Sequence, residues 1–119
     1  MTNDTHKGIT DAQMAELKLA SGGQALYLIE SEIDGDTYQV VVREPGAEYE
    51  AWRDARDQED ATPKSKRIAD QNFVTRCLVF PTPEEWNALC GTKRGLASTF
   101  AGELAEVSGI SRSARRKKF

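Results

Sequence analysis

The feature that most limits how this chain can fold is a β-hairpin signal near its centre. Two runs rich in Ile, Val, Leu and Tyr, "ALYLIESEI" and "DTYQVVVRE", flank the dipeptide Asp34–Gly35. Asp-Gly is favoured in two-residue hairpin turns because glycine accepts a positive φ at no steric cost. One face of the hairpin is apolar, carrying Tyr27, Ile29, Ile33, Tyr38, Val40 and Val42. An isolated hairpin is marginal in water, so helices or a partner's sheet must cover this face.

Helix signals lie on both sides of the hairpin. Before it, Thr10 and Gln13 have the spacing of a capping box, and Gly22–Gly23 mark the end of the first helix. After it, Tyr49 and Trp52 recur three residues apart among acids and arginines, which predicts a second helix with an aromatic face.

Three further helices are predicted in the second half. One runs from Lys66 to Phe80 and ends there because Pro81 disfavours helical geometry in the residue before it. Its predicted inward face carries Ile68, Ala69, Asn72, Phe73, Arg76, Cys77 and Phe80, and Val74 and Leu78 widen it. The next helix begins with a capping box between Thr82 and Glu85. The last carries an apolar stripe of Leu96, Phe100, Leu104 and Val107, with Gly109 just beyond its end.

The order of these elements predicts an α+β fold, an antiparallel β-hairpin packed with about four to five short helices. At 119 residues the chain has the size of one small domain. We place that domain at residues 10–110, after a disordered leader at residues 1–9 and before a basic C-terminal tail at residues 111–119.

Composition favours a cytoplasmic protein. No apolar run approaches the roughly 18 residues that a transmembrane helix needs. The first ten residues, "MTNDTHKGIT", have neither the charged nor the apolar region of a secretory signal. We therefore expect a soluble protein that binds no membrane.

The two cysteines are predicted to be packing residues. Cys77 and Cys90 share helix faces with aromatic side chains, and a thiol in such surroundings behaves as a small hydrophobe with a raised pKa. The single histidine, His6, lies in the polar leader, so neither a zinc site nor an activated thiol has the partners it needs. No metal or cofactor is expected.

The sequence also argues against an enzyme. It contains no nucleotide-binding or hydrolase motif. Its paired carboxylates have local explanations, because Asp34 and Asp36 flank a turn and Glu84 and Glu85 begin a helix, where negative charge is favourable. No catalytic residue is predicted.

Two sets of residues are candidates for binding a partner. The last eight residues hold five of the 16 basic residues and none of the 19 acidic ones, so the rest of the chain carries a charge near −8. The five are Arg112, Arg115, Arg116, Lys117 and Lys118. An acidic protein surface fits this tail better than nucleic acid, which the acidic body would repel. The alternative that the tail is only a solvated segment without a partner is also retained. Tyr49 and Trp52 are either interface anchors or core contacts.

The order of features resembles the tail assembly chaperones of long-tailed bacteriophages. The resemblance covers about residues 38–109, through "VVREPGAEYEAW", "NFVTRCLVFPTPEEWNAL" and "KRGLASTFAGELAEVSG". The matching positions are Arg43, Pro45, Glu48, Tyr49, Cys77, Pro81, Leu89, Gly95, Leu96 and Gly109. The basic tail is not part of the pattern.

The resemblance implies a non-enzymatic chaperone in the bacterial host cytoplasm. Such proteins coat the tape measure protein, keep it soluble and help bring tail tube protein to it, and a homo-oligomer is one form in which this chain could act. The alternatives are a structural tail or head-completion subunit that stays in the virion, and a small nucleic-acid-associated protein that acts through its basic tail.

Overall fold

The computed structural model describes residues 9–22 and 24–107 of the chain. These residues form five helices and a three-stranded antiparallel sheet with strand order β1-β2-β3. In chain order the elements are α1 (Asp11–Ala20), β1 (Leu26–Ile33), β2 (Asp36–Arg43), α2 (Ala47–Arg56), α3 (Pro63–Cys77), β3 (Leu78–Phe80), α4 (Pro83–Thr92) and α5 (Leu96–Val107). The predicted α+β class is confirmed. Gly109, the basic tail and all of the predicted leader except Ile9 lie outside the described residues.

The hairpin forms where the Asp34–Gly35 turn predicts it. β1 and β2 pair antiparallel over all eight residues of each strand. Asp34 and Gly35 have φ angles of 55° and 84°. Positive φ at both central positions is typical of a type I′ turn, whose twist matches that of the paired strands.

The inner face of the hairpin, which carries Ile29, Tyr38, Val40 and Val42, is buried beneath α3, α4 and α5. The helices contribute the buried side chains of Phe73, Val74, Cys77, Trp86, Leu89, Cys90, Leu96, Ala97, Phe100, Ala101 and Leu104. At the centre of this core, the rings of Trp86 and Phe100 stack with their centroids 5.7 Å apart. Because each of these helices contributes buried apolar side chains, one shared core closes the inner face.

The predicted capping boxes at Thr10 and Thr82 are confirmed. In each, the threonine side chain accepts the backbone N–H three residues on, and the residue there reaches back to the threonine N–H. A third box, Thr62 with Ser65, starts α3. These caps fix where the helices begin, because they satisfy N–H groups that have no partner inside the helix.

The prediction for α3 was wrong at both ends. The helix begins at Pro63, in a segment interpreted as a loop, and ends at Cys77 instead of Phe80. The next three residues form β3, which pairs antiparallel with β2 through Val41↔Phe80 and Val42↔Leu78. Pairing with β2 gives this backbone hydrogen bonds that do not require a helix, and the chain then turns at a cis Phe80–Pro81 bond.

The predicted inward face of α3 also needs correction. Asp70, Phe73, Val74 and Cys77 are buried, whereas Ile68 is 48% exposed and Asn72 and Arg76 are exposed. Phe73, Val74 and Cys77 are buried as predicted, and the buried stripe is rotated from the predicted centre toward Asp70 and Val74. Its first member is a carboxylate, which an apolar pattern cannot reveal.

Candidate partner-binding groove

An apolar groove lies between α1 and the outer face of the hairpin. We define the outer face by Leu26, Leu28 and Val41, of which Leu28 and Val41 are directly paired across the strands. The groove has a volume of about 270 Å³. On the α1 side its walls are Met14, Ala15 and Leu17, and Asp11 and Lys18 also line it.

The groove follows from two local patterns. Met14 and Leu17 are three residues apart on α1 and therefore share a helix face. Alternation along the strands places Leu26 and Leu28 opposite in direction to Ile29 and thus away from the core. The sequence also contains three consecutive valines, so Val41 supplies an apolar side chain to the outer face while Val40 and Val42 serve the inner one.

Helix α1 covers the outer face incompletely. None of its residues is buried. On the strand beneath, Leu28 is 42% exposed. The described residues therefore leave apolar surface here that a further apolar side chain would cover favourably.

The two predicted aromatic anchors, Tyr49 and Trp52, are half-buried in α2 and packed on α3. The Trp52 ring stacks on Phe73 with centroids 4.8 Å apart, and Tyr49 meets the same ring edge-on at 6.5 Å. The Trp52 indole N–H donates to Asp70 Oδ1 at 2.8 Å. Much of their surface is thus used within the chain. Their assignment to partner binding stays a prediction.

A buried carboxylate, Asp70, joins α2 to α3. It is 2% exposed, and Arg56 Nη1 lies 2.8 Å from each of its oxygens. Together with the Trp52 N–H, this arginine gives the carboxylate the partners that a buried charge needs. Sequence reasoning missed this group, because 14 residues separate Asp70 from Arg56 and nothing local links them.

A second charged group fastens the end of β2 to both α2 and α3. Arg43 Nη2 donates to Glu48 Oε2 at 2.7 Å and to the Arg76 backbone oxygen at 2.9 Å. Glu48 Oε1 accepts the Gly46 N–H at 2.8 Å. The hydrogen bond from Arg43, aided by that from Gly46, lowers the pKa of Glu48 to about 2. Arg43 and Glu48 are among the residues on which the resemblance to tail assembly chaperones rests. In this structure they link the end of β2 to α2 and α3.

The cysteines are packing residues, as predicted. Cys77 and Cys90 are buried and free. Burial raises the pKa of the Cys77 thiol to about 11 and that of Cys90 to about 12. Both therefore stay protonated and weakly nucleophilic near neutral pH.

The paired carboxylates lie where their local roles place them. Asp34 in the hairpin turn has its Oδ2 3.3 Å from Lys93 Nζ, and Glu85 closes the capping box of α4. In the part of the chain that the structure describes, no three His, Cys, Asp or Glu side chains are grouped so as to hold a metal ion. No helix there is long and apolar enough to cross a membrane.

The five basic residues predicted to bind a partner lie outside the described residues: Arg112, Arg115, Arg116, Lys117 and Lys118. Of the predicted binding residues, the structure thus places Tyr49 and Trp52 alone. The apolar groove was not predicted. The signal for it was the pair Leu26 and Leu28 on the face opposite the core, together with Val41.

Comparison with known proteins gives a fold but no family. No family model and no curated protein matches the chain. Among solved structures, it is similar to the structure of uncharacterised protein rbstp2171 from Bacillus stearothermophilus, with a TM-score of 0.63 and 22% sequence identity. The similarity covers 81% of this chain and 91% of that one. At this identity the likeness concerns the fold alone.

Proposed function

We propose that this chain is a non-enzymatic tail assembly chaperone of a long-tailed bacteriophage, which binds the tape measure protein and assists tail tube assembly in the host cytoplasm. The sequence resemblance over about residues 38–109 supports this role. The observation that carries it is the apolar groove between α1 and the outer face, because that groove offers an incompletely covered surface to a client helix.

The groove suits the apolar stripe of an amphipathic helix. Such a helix presents side chains at positions i, i+3, i+4 and i+7, and these enter a groove while the polar face stays in water. A volume of about 270 Å³ receives a few side chains but not the helix backbone. The client would therefore lie along the mouth of the groove, against the exposed side chain of Leu28.

Charges along the groove give the client a preferred direction. Asp11 begins α1 and Lys18 lies in its last turn, seven residues apart, or about 10 Å along the helix axis. A client helix with a basic residue near Asp11 and an acidic one near Lys18 is favoured over the reverse orientation.

Helix α1 has no buried residue, which suits a chaperone that must release its client. When such a helix shifts, little buried apolar area becomes exposed to water, so the movement costs little free energy. Movement of α1 would widen the groove without disturbing the core beneath the inner face.

The test is co-expression with the phage's tape measure protein, using two matched variants. Leu28→Asp places a charge in the groove, and Ile68→Asp places one on the outside of α3 at a similar exposure, 48% against 42%. We expect the parent chain and Ile68→Asp to keep the client soluble and to co-purify with it. The amount of client that co-purifies with Leu28→Asp should be at least about tenfold lower.

Thermal unfolding of both variants shows that each is folded before binding is compared. If the parent chain neither solubilises nor retains the client, the chaperone proposal is wrong. If Leu28→Asp retains as much client as Ile68→Asp, the groove is not the binding surface.

A further inference from the structure

The strand β1 has an unpaired side. It is the first strand of the order β1-β2-β3, so only β2 pairs with it within the sheet. In a two-residue hairpin the residues next to the turn form a hydrogen-bonded pair, and bonded pairs then alternate along the strands. From Ile33↔Asp36, this alternation directs the N–H and C=O groups of Leu26, Leu28, Glu30 and Glu32 away from β2. We call these four residues the β1 edge.

Along the described chain, nothing else hydrogen-bonds the backbone of Leu28, Glu30 or Glu32. All three residues are exposed. A free edge of this length can pair with another strand, and natural proteins commonly cover or block such edges. Helix α5 contacts β1 and packs into the core beneath the inner face.

The β1 edge is also acidic. Glu30 and Glu32 are two residues apart and point to the same side of the sheet. Glu30 Oε1 accepts a hydrogen bond from Gln39 Nε2 at 2.9 Å, a neutral partner that leaves its charge in place. No described cation forms an ion pair with either glutamate. A strand that pairs here is favoured if it carries basic residues at alternate positions.

We infer that the basic segment Arg112–Phe119 of the same chain binds along the β1 edge as an added strand. This segment holds five basic residues and no acid, while the rest of the chain is near −8. The β1 edge of a second molecule is a less favourable partner, because antiparallel pairing of two such edges around their glutamates brings like charges together.

The segment also has a suitable alternation. Arg115, Lys117 and Phe119 recur along the segment at the spacing of Leu28, Glu30 and Glu32 along β1. Antiparallel pairing of the two sets would bring together one apolar pair and two opposite-charge pairs, each of a kind that stabilises paired strands.

The chain is long enough to reach this position. The Lys93–Asp34 contact places the start of α5 beside the hairpin turn. The 12 residues of α5 extend about 18 Å from there. The eight residues from Val107 to Arg115 span up to about 27 Å when extended, which is enough to return to Glu32.

Amide hydrogen exchange followed by NMR tests the inference in the full chain and in a chain that ends after Ser111. With the segment present, we expect the amides of Leu28, Glu30 and Glu32 to exchange about tenfold more slowly than without it. The amides of Ile29 and Ser31 bond β2 in both proteins and serve as internal controls. The protection should weaken at high salt, because the added pairs are exposed to solvent.

A second pair of variants keeps the test independent of truncation. In the full chain, Glu30→Gln with Glu32→Gln should abolish most of the protection. Glu59→Gln with Asp60→Asn, in the exposed loop between α2 and α3, should leave it unchanged. Equal protection in the full and truncated chains overturns the inference. So does protection that depends on protein concentration, since a second copy would then cover the edge, as sedimentation analysis would show.

Discussion

The two faces of the β-hairpin differ in how completely they are covered. Three helices close the inner face, and Val40, Val42, Trp86, Phe100 and Leu104 have at most 1% of their surface exposed. A single ten-residue helix lies over the outer face and contributes no buried residue. The inner face is apolar along the hairpin, whereas the outer face is apolar at Leu26, Leu28 and Val41 and polar at Glu30, Glu32 and Gln39. The two faces therefore differ in composition as well as in what packs on them.

This difference separates stability from binding. Apolar surface that is already buried stabilises the fold and is not accessible to a partner, whereas partly covered surface adds little stability and is accessible. Substitutions on the inner face should therefore destabilise the protein strongly. On the outer face this contrast concerns the exposed Leu28, where substitution should mainly change binding, and not Val41, which is 4% exposed. The following expectations test that contrast, beginning with the largest effect.

Phe100→Ala should cause the largest loss. The side chain is fully buried against Trp86, and removing a buried phenylalanine costs about 3–5 kcal/mol in lost burial and cavity formation. Urea unfolding of the purified variant measures this change. A loss below about 1 kcal/mol would mean that the core can collapse around the gap, contrary to its close packing.

Asp70→Asn should destabilise the α2–α3 contact by about 2 kcal/mol, because Arg56 loses its charged partner and the three hydrogen bonds to the carboxylate are weakened or lost. The matched control is Asp54→Asn, an exposed residue on α2, which should stay within about 0.5 kcal/mol of the parent. Equal effects in urea unfolding would show that burial of Asp70 has no energetic consequence.

Glu48 should make stability depend on acid pH. Its pKa is lowered from 4.5 to about 2 in the folded chain, so its contribution is present above pH 4.5 and is lost as the pH falls toward 2. Because the pair with Arg43 is partly exposed, we expect about 1 kcal/mol.

Urea unfolding between pH 2 and pH 6 checks this dependence. Glu48→Gln should flatten that part of the curve, whereas Glu50→Gln, one residue after Tyr49 and exposed, should not. If the free energy of unfolding of Glu48→Gln depends on pH as steeply as that of the parent, the acid sensitivity comes from other carboxylates.

Leu28→Ala should have the smallest effect on stability. Leu28 is 42% exposed on the outer face, so truncation removes little buried area and should cost less than about 1 kcal/mol. Urea unfolding beside Phe100→Ala gives the contrast between the two faces directly. A loss comparable to that of Phe100→Ala would mean that the outer face is as tightly packed as the inner one.

Local signals explain what the sequence could predict. The Asp34–Gly35 turn, the capping threonines and the alternation in β1 and β2 act over a few residues, so their structural outcome can be inferred from neighbours in the chain. The buried face of α5 was predicted for the same reason, since Leu96, Phe100 and Leu104 follow one another at helical spacing.

Interactions between distant segments explain what was missed. β3 exists because Leu78–Phe80 meets β2, and a three-residue strand has no signal of its own. Asp70 is buried because Arg56 and Trp52 reach it from another helix. The apolar groove is lined jointly by α1, β1 and Val41 of β2, an arrangement that no one of these segments encodes alone.

Methyl NMR with a peptide from an amphipathic helix of the tape measure protein tests the central claim most directly. We expect the signals of Met14, Leu17, Leu26, Leu28 and Val41, which line the groove, to shift on titration, while those of Val42 and Leu104 in the core stay in place. Saturable shifts confined to the α2–α3 surface around Trp52, or no shift at any groove methyl, would contradict the assignment of binding to the outer face.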